Sequence, residues 1–101
     1  MALEKSLAAV YARRADVLLR EVAGEQLLVP IRRDVADLQA IFALNALGVF
    51  VWERLDGERT VQAVLASIAE RYDVGLDDAQ ADLLAFLERL SAAGLIEQRP
   101  S

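Results

Sequence analysis

The spacing of apolar residues changes period about midway along the chain. Before residue 45 the apolar runs are short and strand-like. "VLLREV" (17–22) and "EQLLVPI" (25–31) are separated by Ala23-Gly24, which predicts a hairpin. Pro30 has no N–H to give a ladder and so belongs at a strand end or an edge. "RRDVAD" (32–37) is a polar connection, and "LQAIFAL" (38–44) then alternates. Leu38, Ala40, Phe42 and Leu44 fall on one face, with Gln39, Ile41 and Ala43 on the other, which predicts a third strand. Ahead of the hairpin, Leu3, Leu7, Val10 and Tyr11 stand at i, i+4, i+7 and i+8, one face of a short helix in an arm over residues 1–12.

From residue 46 the period is helical. Asn45 is the lone amide in "IFALNALGVFVW", and it stands where the strand pattern ends. There its side chain can accept from an otherwise unpaired amide of the first turn, so it is the expected N-cap of a helix over 46–55. Gly48 permits another backbone to come close, and Asp56-Gly57 is expected to end that helix. Thr60 caps a second helix with Val61, Val64, Leu65, Ile68 and Tyr72 on one stripe, and "DVG" (73–75) breaks it. Asp77 and Gln80 have capping-box spacing at the head of a third helix (77–93) that buries Leu83, Phe86, Leu87 and Leu90. Gly94 closes it and lets Leu95 fold back. Three strands followed by three helices is an α+β arrangement over 13–97, with residues 98–101 as a tail.

Composition narrows the functional classes. At 101 residues, 55% hydrophobic and 27% charged, the chain has room for one core. No run approaches the ~18 apolar residues of a membrane span, and no secretory signal pattern opens the sequence, so the expected compartment is the cytoplasm without membrane contact. There is no Cys and no His, hence no thiolate nucleophile and no imidazole base or ligand. The serines have no imidazole beside them, and no Gly-rich phosphate loop is present. A binding module without catalysis, metal or cofactor is the reading this supports. Residues 1–34 carry six positive and five negative side chains, and the remaining residues five and eleven. The C-terminal two-thirds is therefore unsuited to nucleic acid, which needs clustered Lys and Arg.

"LN" (44–45), "W" (52), "LDG" (55–57), "TV" (60–61), "D" (82), "FL" (86–87) and "GLI" (94–96) follow in an order and spacing that resemble the PqqD-like family. "REVAGEQLLVPI" (20–31) resembles the amino-terminal hairpin of one branch. The resemblance covers about residues 13–97. It implies a winged helix-turn-helix-like domain, a three-stranded antiparallel sheet followed by three helices, acting as a precursor-peptide recognition element. Such domains bind the leader of a ribosomally made peptide and present it to a modifying enzyme, often a radical S-adenosylmethionine protein of the SPASM type. The leader adds beside the third strand, in a groove walled by the third helix. The namesake branch, which serves pyrroloquinoline quinone synthesis, carries a "PEG"-like segment before its "LN". Here that place holds "IRRDVADLQAIFA", so the resemblance points to the binding mode rather than to that pathway.

The residues themselves raise the same idea. The third strand lacks the Lys, Pro or inward charge that protects an edge, so either it is open to an incoming strand or it is covered. The candidate contacts are Leu38, Gln39, Ala40, Ile41, Phe42, Ala43 and Leu44 on the strand. On the third helix Ala81, Leu84, Ala85 and Glu88 share a face beside the buried stripe, forming either a shallow trough or a packing surface. The expected partners are a leader peptide and the radical enzyme; a homodimer, with the arm exchanged or capping the edge, is the further option. The competing class is a winged-helix DNA-binding regulator. Its recognition helix would here carry Asp77, Asp78, Asp82 and Glu88 against Arg89 alone.

Overall fold

The hairpin forms as the alternation requires. In the computed structural model, which describes residues 7–31 and 42–100, β2 (Val17–Val22) pairs antiparallel with β3 (Glu25–Pro30) from Val17↔Pro30 to Val22↔Glu25. Ala23 and Gly24 take φ of +53° and +83°, the paired positive values of a tight hairpin turn whose twist matches its strands. Pro30 lies at the strand end, opposite Val17. β4 (Phe42–Leu44) joins β3 on its other side through Gln26↔Leu44, Leu27↔Ala43 and Leu28↔Phe42, giving the order β2-β3-β4. Leu44 is buried and Phe42 half-buried, whereas Ala43 is exposed, so the described part of this strand keeps the expected faces. Leu38, Gln39, Ala40 and Ile41 lie outside the described residues, as do the connection 32–37 and the first six residues of the arm.

The helices follow. Asn45 accepts from the Gly48 amide at 2.8 Å and caps α1 (Ala46–Glu53). Thr60 accepts from the Ala63 amide at 3.1 Å and caps α2 (Val61–Arg71). α3 (Leu76–Ala92) begins two residues earlier than a capping box on Asp77 implies. Its N-cap is Gly75, with no side-chain bond, so Asp77 sits inside the first turn with Asp78 and faces the helix's positive end instead. Gly94 has φ +73°, and the Leu95 amide donates to the Leu90 carbonyl at 3.0 Å, which tucks a fully buried Leu95 under the helix end.

Two segments depart from the sequence reading. α1 stops at Glu53 with Arg54 as C-cap, and Asp56-Gly57 opens a strand, β5 (Asp56–Thr60), rather than closing the helix. β6 (Ile96–Arg99) is likewise a strand that runs into the expected tail. Both pair antiparallel with β1 (Val10–Arg13), giving a second sheet in the order β5-β1-β6. Val10 and Tyr11 are therefore strand residues and not the end of a helical arm; helix is confined to Leu7 and Ala8 among the described part of it. The reason is tertiary. β1 has partners on both sides, and a four-residue strand with both ladders filled outweighs the weak helical spacing of the arm.

Among the described residues this makes six strands and three helices, an α+β fold around one core. Leu28, Leu90 and Leu95 have no exposed surface, and Val61, Val64 and Leu55 almost none. Arg13 and Arg54 donate to carbonyls at the end of α1, Arg13 to Glu53 at 3.1 Å and Arg54 to Phe50 at 2.9 Å, placing cations at the negative helix end. No helix among the described residues is long and apolar enough to cross a membrane.

Candidate functional site

β4 ends its sheet, and β3 is its only strand neighbour among the described residues. Which of its backbone groups face outward follows from the ladder. The Ile31 amide donates to the Asp16 carbonyl at 2.7 Å, while the Val17 amide turns to Arg14. In an antiparallel ladder, hydrogen-bonded and non-bonded pairs alternate, so Leu27 and Val29 point their backbone groups at β2, and Gln26 and Leu28 point theirs at β4. Gln26 and Leu28 face Leu44 and Phe42. The amide and carbonyl of Ala43 accordingly face away from the sheet.

On that open side lies a cleft of about 400 Å³ between β4, the start of α1 and one face of α3. Its β4 margin is Phe42 to Asn45, and its floor includes Leu47, Val51, Ile68 and Leu83. Gly48 belongs to the same floor, where an added Cβ would stand 3.2 Å from the Leu44 side chain; the missing side chain is what lets α1 sit this close to β4. The α3 wall is formed by Asp78, Asp82, Ala85, Phe86 and Arg89, spaced i, i+4, i+7, i+8 and i+11. Phe86 meets Phe42 edge-to-face at 6.2 Å, and the Arg89 guanidinium lies over the Phe42 ring at 5.1 Å. The cleft is thus apolar within and charged at its rim, acidic toward the start of α3 and basic at Arg89.

Of the residues singled out from sequence, Phe42, Ala43, Leu44 and Ala85 come together around this cleft. Ala81, Leu84 and Glu88 do not line it. Leu84 is half-buried against the core, and Ala81 and Glu88 are exposed. The cleft wall is the helix face one residue round from the one predicted. Asp78, Asp82, Phe86 and Arg89 also line it; the sequence pattern placed Phe86 in the buried stripe and the other three among the surface charges of the helix. What the arrangement offers chemically is a strand edge whose outward donor and acceptor have no strand partner among the described residues, beside an apolar slot fitted to hold an extended chain by its backbone and every second side chain.

An α+β domain whose edge strand has no second partner among the described residues and stands over an apolar cleft is the class that fold and site define. Comparison with known proteins makes this more specific. The family described as Coenzyme PQQ synthesis protein D (PqqD) matches residues 17–96, and the chain belongs to that family. A PqqA binding protein from Rhizobium meliloti (strain 1021) is 29% identical over 55 residues, 54% of this chain and 56% of the relative. The chain therefore spans little more than half the length of that curated relative. Among solved structures, TbiB1 in complex with the TbiA(beta) leader peptide has the same fold, with a TM-score of 0.69. It is 21% identical, and the match covers 89% of this chain and 99% of that one.

Proposed function

We propose that this chain is a non-catalytic adaptor that takes up the leader of a ribosomally synthesised precursor peptide as an added strand on β4 and presents it to a modifying enzyme of the radical S-adenosylmethionine class. The observation that carries the proposal is the outward-facing backbone of Ala43 above an apolar cleft. Family membership supports it, as does the fact that the rhizobial relative is named for binding PqqA and that TbiB1 was solved with a leader peptide. The strand contacts are residues 38–44, and the helix contacts are Ala85 with its neighbours on the cleft wall. Ala81, Leu84 and Glu88 meet the ligand only where it rises over the rim. The absence of His and Cys agrees with a role in binding rather than in chemistry.

We read the domain as winged helix-turn-helix-like, with α2 and α3 joined by the short connection 72–75 and β6 following. A regulator of DNA would use α3 in the major groove. That helix carries Asp77, Asp78, Asp82 and Glu88 against Arg89, a charge that repels phosphate.

The test is an amide-shift titration of the full chain with synthetic leaders encoded by short reading frames beside its gene. Strand-like shifts concentrated at Phe42, Ala43 and Leu44, with a second set along the cleft face of α3, are the expected result. Shifts confined to other surfaces would remove the strand-addition reading, and a salt-sensitive gel shift on duplex DNA would put the regulator in its place.

A further inference from the structure

We infer that the peptide captured here carries, in N- to C-terminal order, a basic residue, a large apolar residue two positions on, and an acidic residue two positions beyond that. This rests on the strand addition proposed above and specifies the ligand that such addition selects.

The direction comes first. The sheet is antiparallel at both described junctions, so a strand joining the free edge of β4 in the same sense runs opposite to β4. Phe42 lies against Phe86 and Arg89, in the C-terminal half of α3. The other lining residues of the cleft include Leu44, Asn45, Leu47 and Gly48 on the side of β4 and α1, and Asp82 and Asp78 on α3. β4 thus runs from the Arg89 end to the Asp78 end, and an antiparallel newcomer runs from Asp78 toward Arg89.

Charge complementarity then fixes the ends. Among the described residues no cation pairs with Asp78 or Asp82. Asp78 is in the first turn, where the helix terminus offsets its charge, but Asp82 lies a full turn further on and has no such compensation. Arg89 is held over Phe42 by its ring contact at the opposite end. A basic side chain at the first end and an acidic one at the second meet opposite charges, and the reversed order meets like charges at both.

The spacing agrees. Along a helix rising 1.5 Å per residue, Arg89 is roughly 10 Å from Asp82 and roughly 16 Å from Asp78. Alternate side chains of a strand face the same way, and residues i and i+4 are about 13 Å apart, between those two values. The residue at i+2 then points into the apolar floor at Phe86, Leu83 and Leu47.

The experiment is a selection from a random decapeptide library displayed on ribosomes, using the full chain as bait. It is paired with two synthetic peptides of identical composition, one ordered Arg-Thr-Leu-Thr-Glu at its centre and the other Glu-Thr-Leu-Thr-Arg. The forward peptide is expected to bind about tenfold tighter at low salt, a preference that shrinks several-fold near 1 M salt as exposed charges are screened. The selected peptides are expected to show the same order, and the double variant Asp82→Arg, Arg89→Glu is expected to invert it, with its fold checked by circular dichroism. If that variant does not fold, the forward-to-reversed ratio on the unaltered chain decides alone. Selected peptides with apolar anchors but no charge order would overturn the inference while leaving strand addition standing. No enrichment over a bait-free support would overturn both.

Discussion

The turn residue Ala23 holds φ at +53° although it has a Cβ. An L-residue in this left-handed region carries a penalty on the order of 1–2 kcal/mol, which Asn, with its short polar side chain, largely escapes. Ala23→Asn, followed by Gly24, restores the residue pair such turns favour. It should raise the free energy of unfolding by about 0.5–1 kcal/mol, read as a higher urea midpoint at unchanged slope. At Asp56 the effect is electrostatic. Its carboxylate accepts from the backbone amides of Arg59 and Glu58, each at 3.0 Å, and the Arg59 guanidinium stands 3.8 Å away. These, the Arg59 amide foremost, hold its pKa below the ordinary Asp value. A folded pKa lower than the unfolded one gives a contribution that is full above the unfolded value and is lost as pH falls through the folded one. The loss therefore falls below about pH 4. Asp56→Asn keeps an acceptor but does not titrate. Urea midpoints measured from pH 6 down to pH 2 should fall less steeply for that variant than for the unaltered chain.

Among the elements, β4 is the one whose function and stability separate most cleanly. Its bonds to β3 come from Phe42 and Leu44, whereas the Ala43 amide faces the cleft. Proline is tolerated at an edge position whose N–H points away from the sheet. Ala43→Pro should leave the melting temperature within a few degrees of the parent and weaken binding of a leader peptide about tenfold, the worth of roughly one backbone hydrogen bond. Fluorescence anisotropy with a labelled leader measures the second quantity and a thermal melt the first. A variant that binds as well as the parent would mean that the ligand does not use this edge. The sequence made the hairpin and all three helices legible, because alternation, Asn45, Thr60 and the stripe Leu83, Phe86, Leu87, Leu90 are local signals, although Phe86 is only half-buried. It could not announce β5 or β6. "DGERT" and "IEQR" have no alternating apolar face, and they are strands because β1 supplies both with backbone partners. The cleft face of α3 escaped for a related reason. Ala81, Leu84 and Glu88 lie on one side of the stripe and Asp82 and Arg89 on the other, and Phe86, which the spacing assigns to the stripe itself, sits half-buried at the cleft. The choice between them depends on how α3 is rotated against β4, which is fixed by the contact of Phe86 with Phe42.

For the molecule as a whole, the decisive feature is that β1 stands between β5 and β6, which do not touch each other in the sheet. Val10 and Ala12 are buried, the Arg13 amide donates to the Leu55 carbonyl at 3.0 Å, and the Val61 amide donates to Ala9 at 2.8 Å. The start of the chain thus ties the end of α1 and the head of α2 to the strand that follows α3. Deleting residues 1–12 removes three of the four residues of β1, including the buried Val10 and Ala12, and with them the backbone partners of β5 and β6. At roughly 4–8 °C per kcal/mol for a domain of this size, a loss of several kcal/mol should lower the melting temperature by more than about 15 °C or abolish the cooperative transition. A synthetic peptide of residues 1–14 added in trans should restore part of it. The contrast that matters is with an arm whose main business is to cover β4. In that case the same deletion would leave stability intact and raise affinity for a leader peptide, because the edge would be freed. A melt and a binding isotherm on one truncated chain therefore separate a strand that completes the fold from a segment that regulates the site.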